Sequence, residues 1–107
     1  MKISNENINK LVIDGVRPDQ LENVEKLQAR YDRRASFYKK AHVGEYMGCI
    51  YLKSYETVVA CIFQNQLRIY GYFSNTTARH IREFAKQFDF WDNITAQDMK
   101  NTAVFTK

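Results

Sequence analysis

The feature that most constrains the fold is the run Thr57–Phe63, in which β-branched and apolar side chains occupy successive positions. Side chains of a strand point alternately to its two faces, so such a run is typical of a central strand covered on both sides. The polar residues 64–66 follow it as a short hairpin connection. We therefore predict a meander of three antiparallel strands over residues 46–53, 57–63 and 67–73.

Helical patterns flank this meander on both sides. Apolar side chains recur at three- and four-residue steps over residues 18–41, and Pro18 suits a first helical turn. Residues 74–77 are N-cap types, which predicts a second helix over 76–88. The expected fold class is α+β, with a long N-terminal helix, the three-stranded antiparallel meander, and a C-terminal helix packed on the sheet.

The length of 107 residues is typical of one domain. We expect a single α+β domain over residues 1–107, with residues 1–17 and 89–107 at its periphery. No stretch approaches 18 apolar residues, and the N-terminal residues lack the apolar core of a signal peptide. These features predict a protein of the cytoplasm that is not bound to a membrane.

The residue types that carry catalysis are scattered along the chain. The carboxylates lie in separate predicted elements, so spacing forces no pair together for acid–base chemistry. Two histidines are too few for a metal site, and no glycine-rich phosphate loop is present. The candidates that remain are His80 and Cys61. We therefore expect a protein that is not an enzyme and that binds no metal or other cofactor.

The two cysteines also bear on strand register. If the first hairpin centres on Tyr55, Cys49 and Cys61 lie directly opposite each other on one face of the sheet. Cys61 falls within the apolar strand, where a thiol is usually inert packing. We expect both thiols to be free, because disulfides are rare in a reducing compartment.

A basic and aromatic stretch is the strongest candidate for a binding surface. It covers residues 30–42, and the polar face of the third predicted strand extends it. The candidate binding residues are Arg30, Arg33, Arg34, Phe37, Lys39, Lys40, Arg68, Tyr70 and Tyr72. Such residues can contact the phosphates and bases of nucleic acid or an acidic protein surface, and they also suit a solvated helix end.

The start of the predicted 76–88 helix is a second candidate site. Backbone N–H groups at a helix N-terminus can bind an anion, and polar side chains surround this one. Helix capping is the simpler explanation of the same residues. The candidate anion-site residues are Ser74, Thr76, Thr77, Arg79 and His80.

Three segments carry a family resemblance. They are Ser36–Ala41, Leu52–Ala60 and Gly71–Phe84, of which the last contains the long pattern S-x-T-T-x-R-H-I-x-E-F. The chain resembles a family of short, uncharacterised proteins encoded by phages and plasmids of Gram-positive bacteria. The resemblance covers residues 31–88. It implies a mobile-element origin and brings no catalytic motif.

This resemblance favours a binding function. Small phage proteins without catalytic activity often inhibit host machinery stoichiometrically, as anti-CRISPR proteins do. We expect a stoichiometric inhibitor or modulator of a host or defence protein, acting in the bacterial cytoplasm as a monomer or homodimer. A nucleic-acid-binding protein that uses the basic and aromatic stretch is the alternative.

Overall fold

A computed structural model describes residues 2–3, 15–32 and 40–107. Within these ranges, seven strands form one antiparallel sheet in the order β1-β7-β6-β5-β4-β3-β2. The strands are β1 (Lys2–Ile3), β2 (Glu22–Lys26), β3 (Ala41–Tyr46), β4 (Cys49–Ser54), β5 (Thr57–Phe63), β6 (Gln66–Ile69) and β7 (Val104–Thr106). The helices are α1 (Asn75–Gln87), α2 (Ala96–Lys100) and a 3₁₀ turn (Pro18–Gln20).

Two-residue turns connect β3 through β6 into consecutive hairpins. Met47 and Gly48 both have positive φ, 52° and 82°, as the favoured type I′ hairpin turn requires. Between β4 and β5, Leu52 pairs with Ala60 and Lys53 pairs with Val58, so Val59 is an extra residue. This β-bulge shifts the register along the hairpin.

The main core lies on one face of the sheet, beneath α1 and the C-terminal segment. Alternate residues of β4, β5 and β6 contact the apolar stripe of α1. Residues 90–105 add buried side chains to the same cluster: Phe90, Ile94, Met99, Ala103 and Phe105. The C-terminal segment thus contributes to the core and does not lie at the periphery.

The opposite face of the sheet carries a smaller cluster. Its buried members are Val16, Cys49, Tyr51 and Cys61. Partly buried side chains from the 3₁₀ turn region and from the strands pack around them. Both cysteines are free thiols. Among the helices of residues 15–32 and 40–107, none is long and apolar enough to cross a membrane.

The predicted fold class is wrong, because the sheet has seven strands and no long helix occupies residues 18–32. Pro18 begins a 3₁₀ turn of three residues, and β2 follows at the sheet edge. Asn23 has a φ of 53°, which no right-handed helix accommodates. Pairing with β3 provides hydrogen-bond partners for the backbone of β2. Tertiary contacts therefore override the weak helical preference of this segment.

Other elements follow the sequence more closely. The predicted strand over 57–63 is confirmed by β5, and the predicted helix over 76–88 is observed as α1. The first predicted strand, 46–53, starts too early: Met47 and Gly48 form a hairpin turn, β4 runs over Cys49–Ser54, and Tyr46 is the last residue of β3. The three-stranded meander is therefore the centre of a larger sheet.

Candidate functional site

A buried carboxylate on α1 holds the loop that follows β2. Glu83 is 2% exposed, and its carboxylate accepts the backbone N–H groups of Arg30, Tyr31 and Asp32 at 3.2, 2.9 and 2.9 Å. The Gln87 amide donates to the same carboxylate at 2.6 Å and to the carbonyl of Gln28 at 2.5 Å. We call residues 28–32 the anchored loop, since these bonds join it to the helix.

An ion pair fastens the far end of the anchored loop. The Arg79 guanidinium donates through Nε and Nη2 to the two carboxylate oxygens of Asp32 at 2.9 and 3.0 Å. Both side chains are mostly buried, at 23% and 19% exposure. The hydrogen bond to Asp32 raises the pKa of Arg79. Bidentate pairs of this kind fix geometry as well as charge.

Two large aromatic rings are exposed beside this loop. Tyr31 and Trp91 are 49% and 58% exposed, and their rings meet edge to face at 5.3 Å and 87°. Edge-to-face contact is a favoured geometry for an aromatic pair. The anchored loop fixes the backbone of Tyr31, and the buried side chains of Phe90 and Ile94 hold the segment that carries Trp91.

Cations lie next to the aromatic pair. Arg82 and Lys86 of α1, together with Trp91 and residues 92–94, line a depression of about 240 Å³. The Arg82 Nε donates to the carbonyl of Ile94 at 2.8 Å, and this bond holds residues 92–94 against α1. We call Tyr31, Arg82, Lys86 and Trp91 the aromatic–basic surface.

A buried polar cluster joins α1 to the end of β4. Ser54 Oγ lies 2.8 Å from Thr77 Oγ1 and 2.7 Å from His80 Nδ1. All three residues are at most 3% exposed. Burial, and secondarily the charge of Arg79, lowers the pKa of His80 to about 4, against a smaller opposing effect of Asp32. The imidazole is therefore neutral near pH 7.

The other histidine lies on a separate element. His42 is in β3, paired with Lys53 and Lys26 of the neighbouring strands. Burial lowers its pKa, the charges of Lys53 and Lys26 lower it further, and Glu56 raises it. Among residues 15–32 and 40–107, no group of three His, Cys, Asp or Glu side chains is arranged to hold a metal ion.

Comparison with known proteins places the chain in a family. A family model described as a family of unknown function, DUF8033, matches residues 25–101. The chain belongs to this family. The matched range contains the anchored loop, α1 and the aromatic–basic surface. No curated protein and no solved structure matches the chain significantly.

The residues predicted to form one binding surface do not come together in the described part of the chain. Arg30 is exposed in the anchored loop, whereas Arg68 is buried on the sheet face opposite α1. Lys40 is exposed, with its Nζ 5.5 Å from the centroid of the Tyr55 ring. Arg33, Arg34, Phe37 and Lys39 lie outside the described residues.

The two tyrosines predicted to belong to the binding surface, Tyr70 and Tyr72, pack in different clusters. Tyr70 packs in the smaller cluster, and its hydroxyl donates to the sulfur of Cys61 at 3.3 Å. Tyr72 packs against the main core, its hydroxyl donates to Asn75 Oδ1, and Lys100 lies over its ring. Strand β6 ends at Ile69, so the alternation assumed for residues 67–73 stops before Tyr72.

The predicted anion-site residues do lie near one another, with partners inside the protein. Ser74 is the N-cap of α1, and its hydroxyl accepts the N–H of Thr77 at 3.0 Å. Arg79 pairs with Asp32, and Thr77 and His80 belong to the buried polar cluster. Thr76 is partly exposed. These contacts match helix capping and packing, the other explanation that the sequence left open.

Sequence reasoning missed Glu83, Asp32, Tyr31 and Trp91 as site residues. A Glu and a His on a short helix are usually solvated, yet Glu83 and His80 are both buried. The helical spacing His80, Glu83, Gln87 was a signal, because it places three polar side chains along one stripe. Trp91, the single tryptophan, lies in a segment whose periodicity is too weak to assign.

Proposed function

We propose that this chain is a small, non-catalytic binding protein of a phage or plasmid. It acts in the cytoplasm of the host bacterium as a stoichiometric inhibitor or modulator of a host or defence protein, and an anti-CRISPR-like role is one form of this activity. The resemblance of residues 31–88 to short mobile-element proteins supports the origin. The aromatic–basic surface supports the binding role.

The observation that carries the proposal is the exposure of Trp91 and Tyr31 beside Arg82 and Lys86. Trp, Tyr and Arg are the residue types enriched at interaction hot spots. Exposed aromatic rings cost hydration free energy in the free protein, and a partner that covers them recovers it. The bonds to Glu83 and Arg79 fix the loop in advance, which lowers the entropy lost on binding.

The buried polar cluster supports a non-catalytic role. Ser54 and His80 are within hydrogen-bond distance, as a nucleophile and base are in many hydrolases. Both are buried, at 2% and 0% exposure, so neither atom faces a space where a substrate can sit. Their contact is best explained as packing between β4 and α1.

The test is affinity capture from lysate of the host bacterium with tagged protein. We expect one discrete protein partner that survives nuclease treatment. Trp91→Ala should weaken capture by roughly 30-fold, the effect of losing a hot spot of about 2 kcal/mol. Phe73→Ala is the matched control, since Phe73 is a similarly exposed aromatic residue outside the surface. Equal losses in both variants, or capture unchanged by Trp91→Ala, would contradict the proposal.

A second candidate function is binding of single-stranded nucleic acid. The juxtaposition of Trp91 with Arg82 and Lys86 favours it, because a base can stack on the indole while the cations contact phosphates. Binding to a labelled oligonucleotide through two phosphates should weaken about sevenfold between 50 and 200 mM salt. Affinity that does not change with salt would exclude this function.

A further inference from the structure

A second groove lies on the same sheet face as α1, beyond the end of the helix. Two adjoining depressions of about 340 and 250 Å³ share Glu25, Val43 and Phe88. Strands β2 and β3 and the first residues of β4 form the floor, and the C-terminal end of α1 forms one wall. We call this the β2–β3 groove.

The floor of the β2–β3 groove is apolar. Val43 and Ile50 line the floor, Phe88 lines the wall beside it, and each is only partly buried while it packs against the main core. The groove is therefore a part of the core layer that the chain's described helices leave open to solvent. Elsewhere on this face, α1 covers the equivalent side chains of β5 and β6 completely.

The outer rim of the groove is acidic. Glu22 pairs with Glu45, and Glu25 pairs with Val43, so all three carboxylates belong to the face that carries the apolar floor. All three are exposed. Like charges directly opposite on a sheet destabilise it, and the C-terminal end of α1 adds the negative end of its dipole. The end of the groove beside Glu25 and Glu45 is thus locally negative in a chain of net charge +4, whereas Lys26 and Arg30 line its other end.

We propose that the β2–β3 groove binds a basic amphipathic segment of a partner protein. The segment inserts an apolar stripe against Val43, Ile50 and Phe88 and places lysines or arginines beside Glu22, Glu25 and Glu45. A helix is the element that presents such a stripe with flanking charge, and helix-in-groove binding buries it in this way. Lys26 and Arg30 line the other end of the groove. Their positive charges repel the basic residues of the bound segment, so those residues should lie at the acidic end.

This inference goes beyond the proposed function, since the groove differs from the aromatic–basic surface in charge and in lining residues. The proposed function and this inference can be refuted independently. A Trp91→Ala variant should bind a basic peptide as the wild type does, because Trp91 does not line the groove. The probe is a labelled amphipathic peptide of leucine and lysine, about 18 residues long, which is enough to form a helix on binding. A peptide of the same pattern with glutamate in place of lysine is its control.

We expect saturable binding of the leucine–lysine peptide, with amide shifts in nuclear magnetic resonance spectra centred on Val43, Ile50 and Phe88. Replacing two rim carboxylates, Glu25→Gln with Glu45→Gln, should weaken binding roughly three- to tenfold. The matched variant Glu56→Gln changes an exposed carboxylate outside the groove and should have no effect. Equal affinity for the glutamate peptide or for a leucine–lysine peptide of scrambled order would overturn the proposal. So would shifts centred elsewhere, or no loss in the double variant.

Discussion

Replacing Glu83 with alanine should destabilise the whole domain. The change removes the acceptor of three backbone N–H groups and of the Gln87 amide. A hydrogen bond to a charged group contributes about 1.5–3 kcal/mol, but water can replace the acceptor for the exposed residues Arg30 and Tyr31. We therefore expect a loss of about 3 kcal/mol, a large part of the ~5–15 kcal/mol that typical domains have.

The assays are urea and thermal denaturation followed by far-ultraviolet circular dichroism, and hydrogen exchange at the amides of residues 30–32. At roughly 4–8 °C per kcal/mol for a domain of this size, the melting temperature should fall by about 12–24 °C. The three amides should lose protection ahead of the core strands, because the anchored loop opens first. Glu56→Ala is the control, as an exposed carboxylate. A loss below about 1 kcal/mol with the amides still protected would refute the role of Glu83 as the anchor.

Three further predictions concern stability. Burial holds the pKa of His80 near 4, so between pH 6.5 and 4 the unfolded chain binds a proton that the native state does not. The free energy of unfolding should therefore fall by up to about 3 kcal/mol over this range, and a profile that stays flat in urea titrations would contradict it. Ser74→Ala removes the acceptor of the Thr77 N–H, so the free energy of unfolding should fall by about 1 kcal/mol, measured by thermal melting. An unchanged melting temperature would mean that water caps α1 equally well. A Cβ at Gly44 would lie 2.9 Å from the Cβ of Leu21, so Gly44→Ala should cost about 1–3 kcal/mol in chemical denaturation, and wild-type stability would show that the turn region moves freely.

Local signals explain the elements that the sequence predicts correctly. The run Thr57–Phe63 is apolar on both faces because β5 lies between two sheet neighbours with clusters above and below. Ser74 caps α1 at the position that its residue type indicates. Both signals depend on neighbours within a few residues along the chain, which is the range that periodicity and capping preferences report.

Strand register shows where local reasoning fails. A hairpin centred on Tyr55 would place Cys49 opposite Cys61, but Tyr51 is the observed partner of Cys61. The turn contains two residues, and Val59 adds a bulge, so each moves the pairing by one position. A bulge depends on packing above and below the strand, and a single sequence does not report it.

Long-range pairing explains the remaining misses. Residues 22–26 have a helix-like apolar pattern, yet they pair with β3 as an edge strand of the sheet. Glu83 looks like a solvated helix residue until the loop fifty residues earlier supplies its partners. Polar residues are buried only when hydrogen-bond partners meet them, and here those partners are backbone groups that carry no sequence signal.

The anchored loop also links the two proposed binding surfaces. Its residue Tyr31 belongs to the aromatic–basic surface, whereas Gln28 and Arg30 line the β2–β3 groove. The same carboxylate of Glu83 and the amide of Gln87 hold all three backbones. A ligand on either surface therefore contacts the same loop, because each surface includes residues of it. Because the same bonds fix the loop in advance for both surfaces, Glu83→Ala should weaken binding at each of them.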